Sequence, residues 1–223
     1  MNKVCFLAAV LSLGTACAFG DQIGSFATGA PNLGNVNSAM NFAGFSTSDV
    51  SSSGSGSTFT LNPLTVWEAP PPNSTWIGYA ATAGPLSGVN PPSGFYTFTT
   101  QFTTSGAYTG SITVAADDTT EVFLNGTMII GNGAMGTDEH CANGVPNCNM
   151  MDSVDISGGA GTSTLTFLVQ QAGQQDDTDD PSGVAFDGTV NTAAAVPEPT
   201  SLLLLGTGLV GTFLALPRRR RHS

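Results

Sequence analysis

The sequence predicts an all-β domain, an antiparallel β-sandwich. Three observations predict it: short runs that alternate apolar and polar residues, breaks containing Gly, Pro or Asn between them, and no central stretch with capped helical periodicity. A sandwich of about seven to nine short strands is expected.

In chain order, residues 19–45 are Asn-, Gly- and Ala-rich with scattered apolar side chains. Ser46 to Thr58 is a Ser/Gly stretch that reads as a flexible loop. In FTLNPLTVWEAP, residues 59–70, alternation and β-branched side chains predict a strand ending at the Pro70 to Pro72 break. STWIGYAA follows as a short strand. From Gly94, FYTFTTQFTT sets Phe95, Thr97, Thr99 and Gln101 against Tyr96, Phe98 and Phe102, and the slip near Thr100 predicts a bulge. GSITVAADDTTEVFLNGTMIIG reads as strand, acidic turn, strand, Asn125-Gly126 turn, strand, because Asn and Gly tolerate the positive φ of a tight hairpin. DSVDISG and STLTFLVQQAG add two strands, the second with Leu165, Phe167 and Val169 on one face. GVAFDGTV closes the domain.

Charge is distributed unevenly. The basic residues are Lys3 and Arg218 to Arg221, so Phe19 to Val196 contains no Lys or Arg. Of the chain's 16 acidic residues only Glu198 lies beyond Val196, so the middle carries about −15 at neutral pH. Such a surface repels phosphate backbones, which excludes nucleic acid, and favours cations or neutral surfaces as partners.

Both basic ends read as processing signals. Lys3, the apolar run Val4 to Leu13, and the small residues Ala16 and Ala18 flanking Cys17 form a signal peptide cleaved by signal peptidase after Ala18. A buried N-terminal helix is the alternative, as is lipoprotein processing at Cys17, which has Gly14 where Leu is usual. Export leaves Cys141 and Cys148, an even pair in an oxidising compartment whose Gly- and Pro-containing spacer suits a disulfide-closed loop. A zinc site competes with it, using the adjacent His140, but has no second ligand pair.

Two resemblances extend this reading. The order TWIGYA, GFYTFTTQF, ITVAADDTTEVFLNG, STLTFLVQQAG, GVAFDGTV, over about residues 59–191, resembles the galactose-binding-like jelly rolls, the fold of many carbohydrate-binding modules. The fold class becomes a jelly-roll-like β-sandwich; sugar binding does not follow from fold alone. At the carboxyl end, Val196, Pro197, Glu198 and Pro199, then an apolar run, then Arg218, Arg219, Arg220 and Arg221, resemble the PEP-CTERM sorting signal of Gram-negative bacteria. That resemblance implies cleavage by an exosortase near the Pro-Glu-Pro and association with the exopolysaccharide or biofilm matrix. Thr200 to Leu216 would make a helix of about 25 Å, at the short limit for a bilayer core. The arginines would stop it on the cytoplasmic side, giving transient membrane insertion with the acidic domain outside. A permanent tail anchor is the alternative. The expected organisation is signal peptide 1–18, a Gly/Ser/Asn-rich region 19–58, sandwich 59–191, linker 192–199, transmembrane helix 200–216 and basic tail 217–223.

Two acidic clusters carry the candidate chemistry: Asp117 and Asp118 with Glu121, and Asp176, Asp177, Asp179 and Asp180. Carboxylates without basic neighbours repel one another, and a hard cation relieves that; the jelly-roll resemblance implies a structural calcium. A solvated acidic loop is the bland alternative. Glycoside hydrolysis needs two carboxyls flanking a cleft, and nothing in the sequence signals a deep one. No G-x-S-x-G surrounds any serine, so the chain is expected not to be an enzyme. Trp67, Trp76, Tyr79, Tyr96 and Tyr108 are candidates for stacking on a polysaccharide, although most are expected in the core.

Overall fold

The computed structural model describes residues 20–24, 33–48, 51–85, 90–135, 141–172 and 180–192. The expected signal peptide with Ala16 and Ala18, the sorting motif, the membrane helix and the arginines lie outside these residues. Among the described residues there are strands and no helix, so no helix there is long and apolar enough to cross a membrane. The strands are β1 (Asp21–Gly24), β2 (Val36–Ser48), β3 (Ser51–Ser53), β4 (Gly56–Thr60), β5 (Ile77–Gly78) and β6 (Gly94–Thr104). They continue as β7 (Tyr108–Asp117), β8 (Thr119–Leu124), β9 (Thr127–Ile130), β10 (Asp152–Gly158), β11 (Gly161–Gln171) and β12 (Gly183–Thr192).

One layer runs β10-β7-β12 with β1 also on β12, and the other runs β2-β6-β11-β8-β9 with β3 on β2. β4 and β5 link β2 to β12, so pairing continues from one layer into the other. Side chains alternate across a strand, which sends Ile112, Val114, Ala116, Val184 and Phe186 inward from the first layer. Tyr96, Phe98, Val122, Leu165, Phe167 and Val169 meet them from the second. The rings of Phe167 and Phe186 lie 4.8 Å apart across the core.

The Asn125-Gly126 hairpin forms as the sequence predicts, with φ of 51° and 81°. The bulge expected near Thr100 does not. The β6–β11 register is continuous, and Thr100 keeps an inward place by donating its hydroxyl to the Ala39 carbonyl at 2.9 Å. The irregular strand is β2, whose register shifts between Asn37 and Asn41 and again between Phe42 and Gly44. Buried Thr58 donates to the Asn37 and Met40 carbonyls at 2.7 and 3.1 Å, satisfying backbone groups that the first shift leaves over. The Ser/Gly stretch read as a flexible loop therefore contributes strands β3 and β4.

The strand expected over 59–70 ends at Thr60, because Pro63 cannot donate to a ladder. From Leu61 to Ala83 the chain instead covers the outer face of the first layer. Leu61, Trp67, Trp76 and Ala83 pack there on Ala115, Ala185 and Cys148, with the two indoles 4.3 Å apart. Of the five aromatics considered for sugar stacking, Trp67, Trp76, Tyr96 and Tyr108 are core, and Tyr79 alone is partly exposed.

Candidate metal centre

Asp117 ends β7. Alternation places it on the same face as Ala115, beneath the covering tryptophans rather than in water. Its β12 partner is Gly183, where a Cβ would come within 2.9 Å of the Trp67 ring, so glycine lets the indole reach the carboxylate. Trp67 Nε1 donates to Asp117 Oδ2 at 2.5 Å. The Asp117–Asp118 peptide is cis. Ala172 N donates to Asp118 Oδ2 at 2.6 Å, and Asp118 N donates to the Gln170 carbonyl at 3.0 Å. Asp180 joins from the segment before β12: its amide donates to Asn90 Oδ1 at 3.1 Å, and its carbonyl accepts from Gln171 Nε2 at 3.4 Å.

Asp117 and Asp118 are 0% exposed, Gln171 1% and Asp180 2%, so this is a buried acidic site and not a surface loop. Asp117 Oδ1 and Gln171 Oε1 are buried and receive no hydrogen bond among the described residues. Burial drives the Asp117 carboxyl well above the usual carboxylate range; Asp118 and Asp180 add repulsion, and the Trp67 hydrogen bond opposes it in part. No lysine or arginine exists between Phe19 and Val196 to neutralise the group. The site must therefore hold protons or a cation.

The structure thus takes one residue set from each sequence cluster. Asp118 adjoins Asp117, and Asp180 lies within electrostatic reach of it; Glu121 sits on β8 opposite Leu168, on the strand face away from core residues Val122 and Leu124. Asp176, Asp177 and Asp179 lie outside the described residues. Gln171 and Asn90 were not singled out by the sequence reading, and Trp67 was considered there only for stacking on a sugar. An amide at the end of the inward row Ser163, Leu165, Phe167, Val169 is the signal that points to Gln171.

Cys141 and Cys148 are joined as a disulfide with Cα atoms 5.6 Å apart. Their sulfurs lie within 4.8 Å of an Asp117 oxygen, but sulfurs spent in a disulfide are not thiolate ligands, which leaves an all-oxygen site. Hard oxygen donors of this kind suit calcium, with further ligands from carbonyls or water.

The disulfide corner and this site lie at one end of the β7–β12 ladder, where Asp117 pairs with Gly183. Thr192 pairs with Tyr108 at the other end, roughly 30 Å away along the strand. Residues 195–220, which follow closely on Thr192, match the family described as the PEP-CTERM protein-sorting motif. The chain carries a PEP-CTERM sorting signal. Its presence marks an exported, cell-surface-targeted protein of the Gram-negative type.

No curated protein matches this chain. Solved structures similar to it include a family 35 carbohydrate-binding module from Clostridium thermocellum, at 12% identity and TM-score 0.30, covering 61% of this chain and 88% of that one. A GH26-CBM35 β-(1,4)-mannanase from Podospora anserina is similar at 16% identity and TM-score 0.31, over 64% of this chain and 26% of that one. A β-glucosidase from Kluyveromyces marxianus in complex with glucose is similar at 15% identity and TM-score 0.27, over 55% of this chain. This chain spans only 13% of that β-glucosidase.

Proposed function

We propose that the chain is an exosortase-sorted, non-catalytic protein of the cell surface or exopolysaccharide matrix, whose β-sandwich is held by a calcium ion at Asp117, Asp118 and Asp180. The observation that carries the sorting is the PEP-CTERM motif at residues 195–220. Val196 to Pro199 would be the cleavage region, since proline disfavours helix at and just before its own position. Residues 200–216 insert transiently, and Arg218 to Arg221 hold the end on the cytoplasmic side. Carboxyl-terminal mass spectrometry of the protein from cells tests this. A chain ending near Val196 to Pro199 is expected; a chain ending at Ser223 would overturn it.

The calcium assignment rests on the fit of the donor set. Buried carboxylates, an unpaired Gln171 Oε1 and the lack of Lys or Arg between Phe19 and Val196 are what a calcium ion would satisfy. Bound there, the ion would supply charge neutralisation and cross-link β7, β11 and the segment leading into β12. The same burial supports a non-catalytic role, because a hydrolytic carboxyl pair must be reached by water and by a glycosidic oxygen.

A second reading is a module that recognises matrix polysaccharide. It is favoured by Tyr79, whose partly exposed ring stacks 4.7 Å from Tyr96 and packs with Phe42. Saturable binding on a glycan array, lost in Tyr79→Ala, is expected from it. Absence of binding to every polysaccharide, with and without calcium, would remove it.

A further inference from the structure

The disulfide loop is threaded into the backbone that presents the buried carboxylates. Ala142 N donates to the Asp118 carbonyl at 3.2 Å, and the Asn147 carbonyl accepts from Ala116 N at 3.4 Å. Thr119 bridges to Asn147 and donates its hydroxyl to the Pro146 carbonyl at 2.6 Å, while the same hydroxyl accepts from Gly133 N. The residues on both sides of Asp117 and Asp118 are thus fastened to one short loop without regular strand pairing of its own. Within it, Asn147 donates to the Ala142 and Gly144 carbonyls and accepts from the amides of Asn149 and Met150. Cys148 packs with Trp67, the residue whose indole holds Asp117, and its carbonyl accepts from Glu68 N.

We infer that the Cys141–Cys148 loop is a positioning element for the cation site, so that cation affinity depends on whether this disulfide is closed. The inference rests on the calcium reading above. Cutting the sulfur–sulfur bond frees the loop that braces the Ala116 amide, the Asp118 carbonyl and the Thr119 hydroxyl. The carboxylates then lose their preset arrangement, and part of the binding free energy goes into restoring it. Linkage is reciprocal: a bound cation must favour the closed disulfide by the same factor. Both conditions, oxidising surroundings and free calcium, are met outside the cytoplasm, so the two locks on this corner would engage together after export.

The test is a calcium titration of the full chain before and after treatment with dithiothreitol, read through tryptophan fluorescence because Trp67 contacts Asp117. Reduction transfers two electrons and two protons to the cystine, yielding two thiols, while dithiothreitol closes to its cyclic disulfide. A roughly tenfold weaker calcium affinity is expected in the reduced chain, with a matching shift of about 30 mV in the disulfide potential at saturating calcium. A global brace alone would leave the affinity of the folded chain unchanged. Equal affinity in both forms overturns the inference and leaves the calcium reading standing, whereas no binding to the oxidised chain overturns both. Should reduction unfold the chain, Thr119→Val, with the disulfide intact, takes its place. It removes the hydroxyl link to Pro146, and an unchanged affinity there overturns the inference equally.

Discussion

Chelating calcium should lower the thermal midpoint of the folded domain, and the size of the drop should depend on pH. A site with free ion at about one hundred times its dissociation constant gains about 2.7 kcal/mol, which for a domain of this size is roughly 5–11 °C. The pH dependence follows from Asp117. Its folded-state pKa is raised by burial and by Asp118, so without calcium the carboxyl stabilises the fold only while protonated. That contribution is complete below the unfolded carboxylate pKa of about 3.9 and is lost as pH rises through the raised folded value. In chelator the midpoint should therefore fall from pH 4 towards neutrality. With calcium the ion favours the ionised carboxylate, and the fall should disappear. Asp117→Asn keeps an acceptor for Trp67 and removes the buried charge. It should match or exceed the parent chain in chelator at pH 7 and show no calcium response. Differential scanning calorimetry at pH 4, 5.5 and 7, with and without calcium, checks each part.

Phe167→Ala should cost about 3–5 kcal/mol, because the ring is wholly buried and the two sheets cannot collapse to fill the space. Phe167 pairs with Phe98 on one side and Val122 on the other, and its ring meets Phe186 across the core. One truncation thus removes contacts to three strands, and urea denaturation should read the loss as a lower midpoint at similar slope. The midpoint temperature should fall by roughly 6–20 °C. A loss below about 1 kcal/mol would mean that the layers do not meet at this ring.

Much of the second half of the sandwich was legible because period-two alternation is strong in its strands. Leu165, Phe167 and Val169 share the inward face, and Asn125-Gly126 makes the hairpin, as local chemistry dictates. The first half was less legible. Strand β2 is bulged, and its buried Asn37 and neighbour Thr58 resemble loop residues until their partners are seen: Asn37 accepts from Ala39 N and donates to Thr60 Oγ1, and Thr58 donates to the Asn37 and Met40 carbonyls. Thr100 suggested a bulge because polarity stood in for position, whereas a threonine that finds a carbonyl can face the core. The candidate site was legible in kind and not in membership. The paired aspartates suggested a cation, the reading proposed above, but only the tertiary structure puts Asp180 within electrostatic reach of Asp117, turns Glu121 away and buries Gln171. Contacts between residues more than sixty positions apart leave no local trace.

On the proposed reading, the buried carboxylates of this protein hold a calcium ion. Isothermal titration of calcium into the chelator-stripped protein at neutral pH tests it most directly. Saturable binding of one ion is expected, abolished in Asp117→Asn while the folded signal in circular dichroism is retained. Absence of binding heat across pH 6 to 8, or undiminished binding in Asp117→Asn, would contradict it.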